Sequence, residues 1–277
     1  MKFRSVLTLT ALLAAMNAAL FAADVTVKPG ADAGEKTTLN IQGIDYTFVW
    51  CPAGEFLMGS PFSETGRFSS ETPHRVKLTG GFWLLESEVT QAMWQRVMGT
   101  SVRDQCEKAG GKWVTAAGPE FPIYYVTWDE AKAFCEKLSA SAGCEITLPT
   151  EAQWEYACRA ESGGPFAGSG NLDEMGWYGE NSESKAHEVK TKEPNAWGLY
   201  DMHGNVYEWC LDRYGDLNAA AAVDPCVYEG GLTNVYRGGS WDSRERFCRS
   251  AFRMIYPAAK RLDLVGLRVC LVPESAE

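Results

Sequence analysis

Histidine is scarce in this chain. His74, His187 and His203 are the three among 277 residues. No two stand at helical spacing and there is no H-E-x-x-H, so a histidine-built metal site would need all three to converge by folding; surface or loop positions are the expectation. No cysteine pair has C-x₂-C spacing, which removes the zinc knuckle. No Lys/Arg block occurs, and the net charge is −10, so a phosphate-tracking groove is unsupported and nucleic acid is not an expected partner. G-x-S-x-G elbows, Walker loops and dinucleotide fingerprints are missing, and no repeat of about 20–50 residues shows.

What is present begins with Met-Lys-Phe-Arg, then an apolar run from Val6 to about Phe21 that closes on Ala22-Ala23-Asp24. A basic start, an apolar middle and small residues at the exit read as a cleaved secretory signal over residues 1–23. The run is short for a retained span, so no membrane span is expected after cleavage. The first cysteine is Cys51, too far from the exit for a lipid-anchored start. The expected location is periplasmic or extracellular. Residues 24–40, polar and rich in Gly, Lys and Thr, read as a loose leader, residues 41–273 as one domain and 274–277 as a tail. Nine cysteines in an exported chain point to disulfides, and the odd number leaves at least one thiol unpaired or bonded to another molecule.

Strand-like runs occur at Tyr46–Cys51, Arg75–Thr79, Phe82–Leu85 and Leu264–Val272, with Gly80-Gly81 placed to turn a hairpin. Thr127-Trp-Asp-Glu130 and Thr150-Glu-Ala-Gln153 are capping-box patterns, each followed by apolar residues on one helical face. A third helix is expected over about Thr90–Met98. Residues 160–245 lack long periodic segments and are rich in Gly, Asn, Ser and aromatics. The fold class is therefore α+β with little regular secondary structure, stapled by disulfides, a bound ion and buried aromatics. Trp83, Trp94, Trp128 and Trp154 read as core. Arg237, Arg249, Arg253 and Arg268 read as internal ion pairs, and Glu151 and Glu155 as helix-start and helix-face charges.

The phrases "FLMGS" (56–60), "EVTQAMW" (88–94), "YYVTWDEAKAFC" (124–135), "LPTEAQWEYACRA" (148–160), "PNAWGLYDMHGNVYEWC" (194–210), "RGGSW" (237–241) and "GLRV" (266–269) follow one another along the chain. In this order they resemble the formylglycine-generating enzyme, or sulfatase-modifying-factor, family over about residues 45–272. The resemblance implies a compact variant of the C-type-lectin-like fold. It also implies the chemistry of the type members, which hold Cu(I) between two cysteine thiolates and use O₂ to convert a substrate cysteine to formylglycine.

In the type enzymes "GGS" leads, after an aromatic and one further residue, to the first copper cysteine, and the second lies five positions on. Here Gly238-Gly239-Ser240-Trp241-Asp242 leads to Ser243, and Cys248 stands at the second position. Ser240 matches the family serine near the oxygen site. Arg244 replaces a histidine, Phe247 replaces a tyrosine, and Arg244, Phe247 and Tyr207 are the positions that fall toward substrate or ligand. A serine hydroxyl is a hard, protonated, weak donor for a soft ion. Cu(I) is therefore not an expected cofactor, and copper-dependent cysteine oxidation is expected to be absent. Resemblance to members without the copper cysteines suggests a Cys158–Cys248 disulfide, closing a loop that chain-entropy reasoning values at about 4 kcal/mol. A Cys135–Cys270 bridge resembles one in the type enzymes, and Cys210–Cys226 is a further candidate; the connectivity stays open.

The resemblance also places Ca²⁺ at the "G-N-x-x-E-W" phrase, with Asp201 and Glu208 as side-chain ligands and Gly204 and Val206 as carbonyl ligands, a hard-oxygen set. The alternative is an Asx-type turn with Glu208 paired to an arginine. A second family calcium site has no match, since Trp177 falls near an expected asparagine. The functional expectation is an exported domain binding a protein, peptide or glycan. Its surface would be Asp242–Val265, presenting Arg244, Glu245, Arg246, Phe252, Met254, Ile255 and Tyr256, the arrangement of the variable proteins of diversity-generating retroelements. The alternative is an active enzyme oxidising a cysteine of exported sulfatases. Iron-dependent sulfoxide synthases, which need a further helical domain, do not fit.

Overall fold

The computed structural model describes residues 25–273; the signal expected over 1–23 and the tail 274–277 lie outside them. The chain runs β1 (Lys36–Ile41), β2 (Ile44–Cys51), β3 (Gly54–Met58), β4 (His74–Leu78), β5 (Phe82–Leu85), α1 (Gln91–Met98), α2 (Val102–Lys108) and α3 (Trp128–Ala142). It continues with β6 (Ile146–Thr147), α4 (Glu151–Arg159), α5 (Leu172–Met175), β7 (Tyr207–Arg213), β8 (Ala222–Val223) and β9 (Thr233–Arg237). A 3₁₀ turn (Glu245–Phe247), β10 (Met254–Pro257), β11 (Val265–Leu267) and β12 (Cys270–Leu271) complete it. Strands gather into sheets of order β1-β2-β5-β12-β6, β10-β9-β7-β11 and β3-β4-β8. The long stretch from 176 to 206 carries no helix or strand, in keeping with an α+β fold of low regularity.

The helix starts follow local chemistry. Thr127 Oγ1 accepts from Glu130 N while Glu130 reaches back to Thr127 N, and Thr150 and Gln153 do the same. These reciprocal bonds satisfy N–H groups that the first turn leaves open. Thr90 caps α1 alone. Ser101 and Asp104 form another capping box at α2, a helix the sequence reading passed over. α3 buries Ala131, Phe134, Cys135 and Leu138, and the Phe134 ring stacks on Trp94 at 5.5 Å.

Three expectations need correction. Residues 36–40 are not a loose leader: they form most of β1, which pairs with β2 in register Ile41↔Ile44. The turn residues Gln42 and Gly43 both have positive φ, the two-residue geometry whose twist matches a hairpin. Val27 is buried and the Lys28 carbonyl accepts from Trp83 Nε1 at 2.9 Å. Gly80-Gly81 does not turn a hairpin. β4 pairs with β3 and β8, whereas β5 pairs with β2 and β12, so the glycines carry the chain from one sheet to another. A side chain at Gly81 would strike the Trp50 indole. The run Leu264–Val272 also splits: β11 lies parallel to β7, and β12 lies antiparallel to β5 and β6. Arg268, fully buried, stands where the chain passes from one sheet to the other.

The arginines expected inside are inside. Arg237, Arg249, Arg253 and Arg268 are each at most 6% exposed. Glu151 and Glu155 are also buried, not surface charges of α4. Arg253 Nε and Nη2 reach Glu151 at 2.5 and 2.7 Å. Glu155 accepts from Arg237, from Arg159 at 2.8 Å and from Gly59 N at 2.8 Å. Burial alone would raise the Glu151 carboxyl, but Arg253 outweighs it and holds that group below the usual carboxylate range. Ion pairs of this kind tie α4 to the segment after β9.

Candidate functional site

β9 ends at Arg237, and the chain then turns through Gly238 and Gly239, both at positive φ. Gly239 also leaves room for sulfur, because a Cβ there would lie 2.5 Å from Cys248 Sγ. The turn delivers Ser240, whose N–H donates to Ser243 Oγ at 3.0 Å and whose hydroxyl lies 2.9 Å from it. Ser243 Oγ donates onward to Tyr207 OH at 3.0 Å. Tyr207 stands at the start of β7 with its ring edge-on to Tyr236 at 4.8 Å. Ser240, Ser243 and Tyr207 are all buried, and the structure gathers these three side chains with Cys248 beside them.

The protonation states decide what this cluster can do. Burial pushes the Cys248 thiol up to about 12, against a smaller opposing effect of the Ser240 N–H. Burial likewise raises the Tyr207 phenol. Both are neutral at pH 7, and so is a serine hydroxyl. The donor set at the family's copper position is thus one hydrogen-bonded hydroxyl and one protonated thiol. Among the described residues, no group of three or more His, Cys, Asp or Glu side chains is arranged to hold a metal ion. These residues do not fit a soft ion that requires two thiolates.

His203 was expected on a surface or loop, and it is fully buried. Ala167 N–H donates to its Nε2 at 3.0 Å, which fixes the proton on Nδ1, and Nδ1–H donates to the Cys248 carbonyl at 2.7 Å. Burial lowers its pKa to about 4, so the ring is neutral and structural. His74 is buried as well, and His187 stacks on Trp177 at 3.8 Å.

All nine cysteines are free thiols in this structure, so none of the three pairings drawn from the sequence is formed in it. Cys158 Sγ instead lies 3.6 Å from Ser250 Oγ and 3.8 Å from His203 Nε2. Burial, with a push from nearby Cys135, raises the Cys270 thiol, and the two sulfurs are not bonded. Cys210 is buried on β7 and Cys226 is half-buried beside Asp212.

The "G-N-x-x-E-W" turn forms a second site. Asp201 and Asn205 take positive φ, and Gly204 does too, packed so closely on the Trp177 carbonyl that no side chain fits. Glu208 does not face the turn with open oxygens. Arg268 donates to both of them at 2.7–3.1 Å, and Trp154 Nε1 donates to Oε2 at 2.7 Å. The arginine-paired alternative for Glu208 is what the geometry shows. Glu88, buried just before α1, takes its place near Asp201. Val206 N–H lies 3.3 Å from Glu88 Oε1, while Glu88 Oε2 and Asp201 Oδ1 are buried with no hydrogen-bond partner. Burial, then neighbouring Asp201 and Glu208, push the Glu88 carboxyl well above its usual range. Burial raises Asp201 to about 6. Glu88 and Asp201 thus sit beside a Glu208 already spent on Arg268, each with one oxygen that finds no hydrogen-bond partner, and these two hard oxygens fit a calcium ion supplemented by carbonyl oxygens.

Arg244 is exposed and Phe247 half-buried on the 3₁₀ turn. Of the surface expected over 242–265, Met254 and Ile255 are exposed at 40% and 38%, but Phe252 is buried, because its ring packs between Phe68 and Phe247 at 5.3 and 5.0 Å. Sequence reading missed Glu88 although it opens the quoted "EVTQAMW"; nothing local marks a glutamate before a helix cap as buried.

The sequence from residue 40 to 272 matches the family model described as sulfatase-modifying factor enzyme 1-like domain. A formylglycine-generating enzyme of Streptomyces coelicolor is 29% identical over 258 residues, covering 72% of this chain and 80% of the relative. The serine/threonine-protein kinase pkn1 of Chlamydia pneumoniae is 36% identical over 159 residues, 53% of this chain and 23% of that protein; the match spans less than a quarter of the kinase's length. Among solved structures, Treponema denticola variable protein 1 superposes with a TM-score of 0.76 at 29% identity, covering 86% of this chain and 99% of that one.

Proposed function

From the premise that this chain belongs to the sulfatase-modifying-factor family and has its variant of the C-type-lectin-like fold, we propose that it is a member without copper oxidase activity. It uses the scaffold to bind a protein, peptide or glycan in the periplasm or outside the cell. The observation that carries this reading is Ser243: its oxygen is engaged by Ser240 and Tyr207 where the first thiolate is required, and the Cys248 thiol is held protonated by burial. The binding surface is the exposed part of 242–265, Arg244 to Arg246 with Met254 and Ile255.

The test is an incubation with Cu(I), O₂ and a cysteine peptide from a sulfatase, read by mass spectrometry. The expected product is none beyond the copper-only control. Turnover of the cysteine to an aldehyde would revive the alternative, an active formylglycine-generating oxidoreductase.

Calcium is part of the same proposal, with a structural role. Asp201 and Glu88 would hold it through their orphaned oxygens, with Gly204 and Val206 contributing carbonyls. Bound Ca²⁺ would neutralise a buried acidic cluster that Arg268 alone does not balance. Thermal melts in calcium and in chelator are expected to differ. At a hundredfold excess over Kd the gain is about 2.7 kcal/mol, or roughly 5–10 °C for a domain of this size. Asp201→Asn and Glu88→Gln should each remove most of that difference. Coincident melts with and without calcium would refute the site.

A further inference from the structure

Six arginines of this protein are spent within the fold. Arg159, Arg237, Arg249, Arg253, Arg261 and Arg268 are all committed to carboxylates. Arg67, Arg244 and Arg246 do not take part in an ion pair among the described residues. Of these, Arg67 and Arg246 lie against aromatic faces. Arg67 stands 4.8 Å from the Phe62 ring, and Phe62 is 81% exposed. Arg246 stands 4.6 Å from the Phe247 ring and 5.4 Å from the Phe68 ring, two rings that stack on each other at 6.0 Å.

This surface is built from two distant segments, and a buried residue holds them together. Arg249, 2% exposed, donates to Glu64 at 2.6 Å, to Glu71 at 2.6 and 2.8 Å, to the Gly66 carbonyl at 3.0 Å and to the Arg246 carbonyl at 3.0 Å. The loop is drawn so close that a Cβ on Gly66 would lie 3.0 Å from Arg246 Cβ. Arg249 thus clamps loop 61–68 onto the 3₁₀ turn before any ligand arrives. A guanidinium whose face lies on a ring keeps its N–H edge open, and that edge matches a carboxylate in two-point geometry.

We infer that Arg67, Arg244 and Arg246, with Phe62, Phe68 and Phe247, form a preorganised docking surface for an acidic, aromatic-bearing peptide segment of a partner protein. This deepens and rests on the binding function proposed above, and it adds loop 61–68 to the surface. Complementarity of charge selects the acidic partner: Arg67, Arg244 and Arg246 outnumber Asp242 and Glu245, the exposed carboxylates near Arg244 in sequence, in a chain of net charge −10. The chemistry of the rings favours peptide over glycan, since phenylalanine offers an apolar face and no hydrogen-bonding group for sugar hydroxyls. β10 points the same way. It is the outer strand of its sheet and begins two residues after Phe252, so its open backbone edge can align an extended chain.

The experiment is fluorescence anisotropy of a labelled glutamate–tyrosine copolymer on the full chain, with a glutamine–tyrosine copolymer and a heparin fragment as comparisons. Saturable binding to the acidic copolymer is expected, weakening as salt is raised. Arg246→Glu is expected to weaken it at least about tenfold, and Phe62→Ala should weaken it without altering the salt dependence. Lys112→Glu, at an exposed lysine outside the patch, is the charge-matched control and should bind like the parent. All three positions are surface-accessible, so unchanged melts will certify folding. Equal losses in Arg246→Glu and Lys112→Glu, binding to heparin in preference to the copolymer, or no binding at all would overturn the inference. Aldehyde production in the copper assay sinks the parent reading instead, so the two failures are distinct.

Discussion

Replacing Arg268 with methionine is expected to destabilise the protein by about 3–5 kcal/mol, a fall in melting temperature of roughly 10 °C. Arg268 is fully buried and gives its donors to Glu208, the Leu85 carbonyl (2.9 Å) and the Tyr200 carbonyl (2.7 Å). Burial alone would lower its pKa, but Glu208 outweighs that, and Glu88 and Asp201 lie close enough to add to the rise. Methionine fills the space but leaves Glu208 with Trp154 Nε1 as its remaining side-chain donor, inside a cluster of three carboxylates. A buried charge stripped of its partner costs more than the pair was worth. The double change Arg268→Met with Glu208→Gln should therefore recover part of the loss, because a neutral amide removes the unpaired charge. Denaturant unfolding of the two variants checks this. If the double variant is as unstable as the sum of its parts, the charge argument is wrong and the loss is one of packing. Calcium should narrow the deficit of Arg268→Met, since a cation near Asp201 and Glu88 acts on the same excess of negative charge.

Ser243→Cys is expected to change metal affinity by the largest factor of any single substitution here. Residues 243 and 248 both gather at Ser240, one through its N–H at 3.0 Å and the other packed against Gly239. A thiol at 243 would supply the second soft donor, and metal binding releases thiol protons that burial otherwise retains. Competition with a chromogenic Cu(I) chelator should show a gain beyond the roughly 10–100-fold that outer-sphere partners alone contribute. The parent should surrender copper at once. The substitution breaks the hydroxyl contacts to Ser240 and Tyr207, a cost of about 1 kcal/mol, small enough for the fold to persist. Parent protein that holds Cu(I) as tightly as Ser243→Cys would mean that another donor completes the site, and copper chemistry would return to consideration.

Much of the fold was legible because its signals act over one turn of chain. The Thr127 and Thr150 capping boxes, the helix after Thr90 and strand β5 all appear where their residues imply. So do the inward arginines, which four exposed guanidinia would not have required. The errors share a cause. Gly80-Gly81 looks like a hairpin turn in isolation, and only the pairing of β4 with β3 makes it a passage between sheets. Glu151 and Glu155 look like ordinary helix charges until Arg237 at the end of β9 and Arg253 beyond it reach them.

The sequence by itself determined the family, the helix starts and the oxygen at 243 in place of sulfur. Those depend on residue identity and short spacing, which no packing can alter. Tertiary structure alone decided that Glu208 is spent on Arg268, that Glu88 joins Asp201, and that Arg249 binds loop 61–68 to the 3₁₀ turn. A buried polar atom must find a partner wherever the chain passes close to it, and which segment passes there is a property of the assembled sheets rather than of any local stretch of residues.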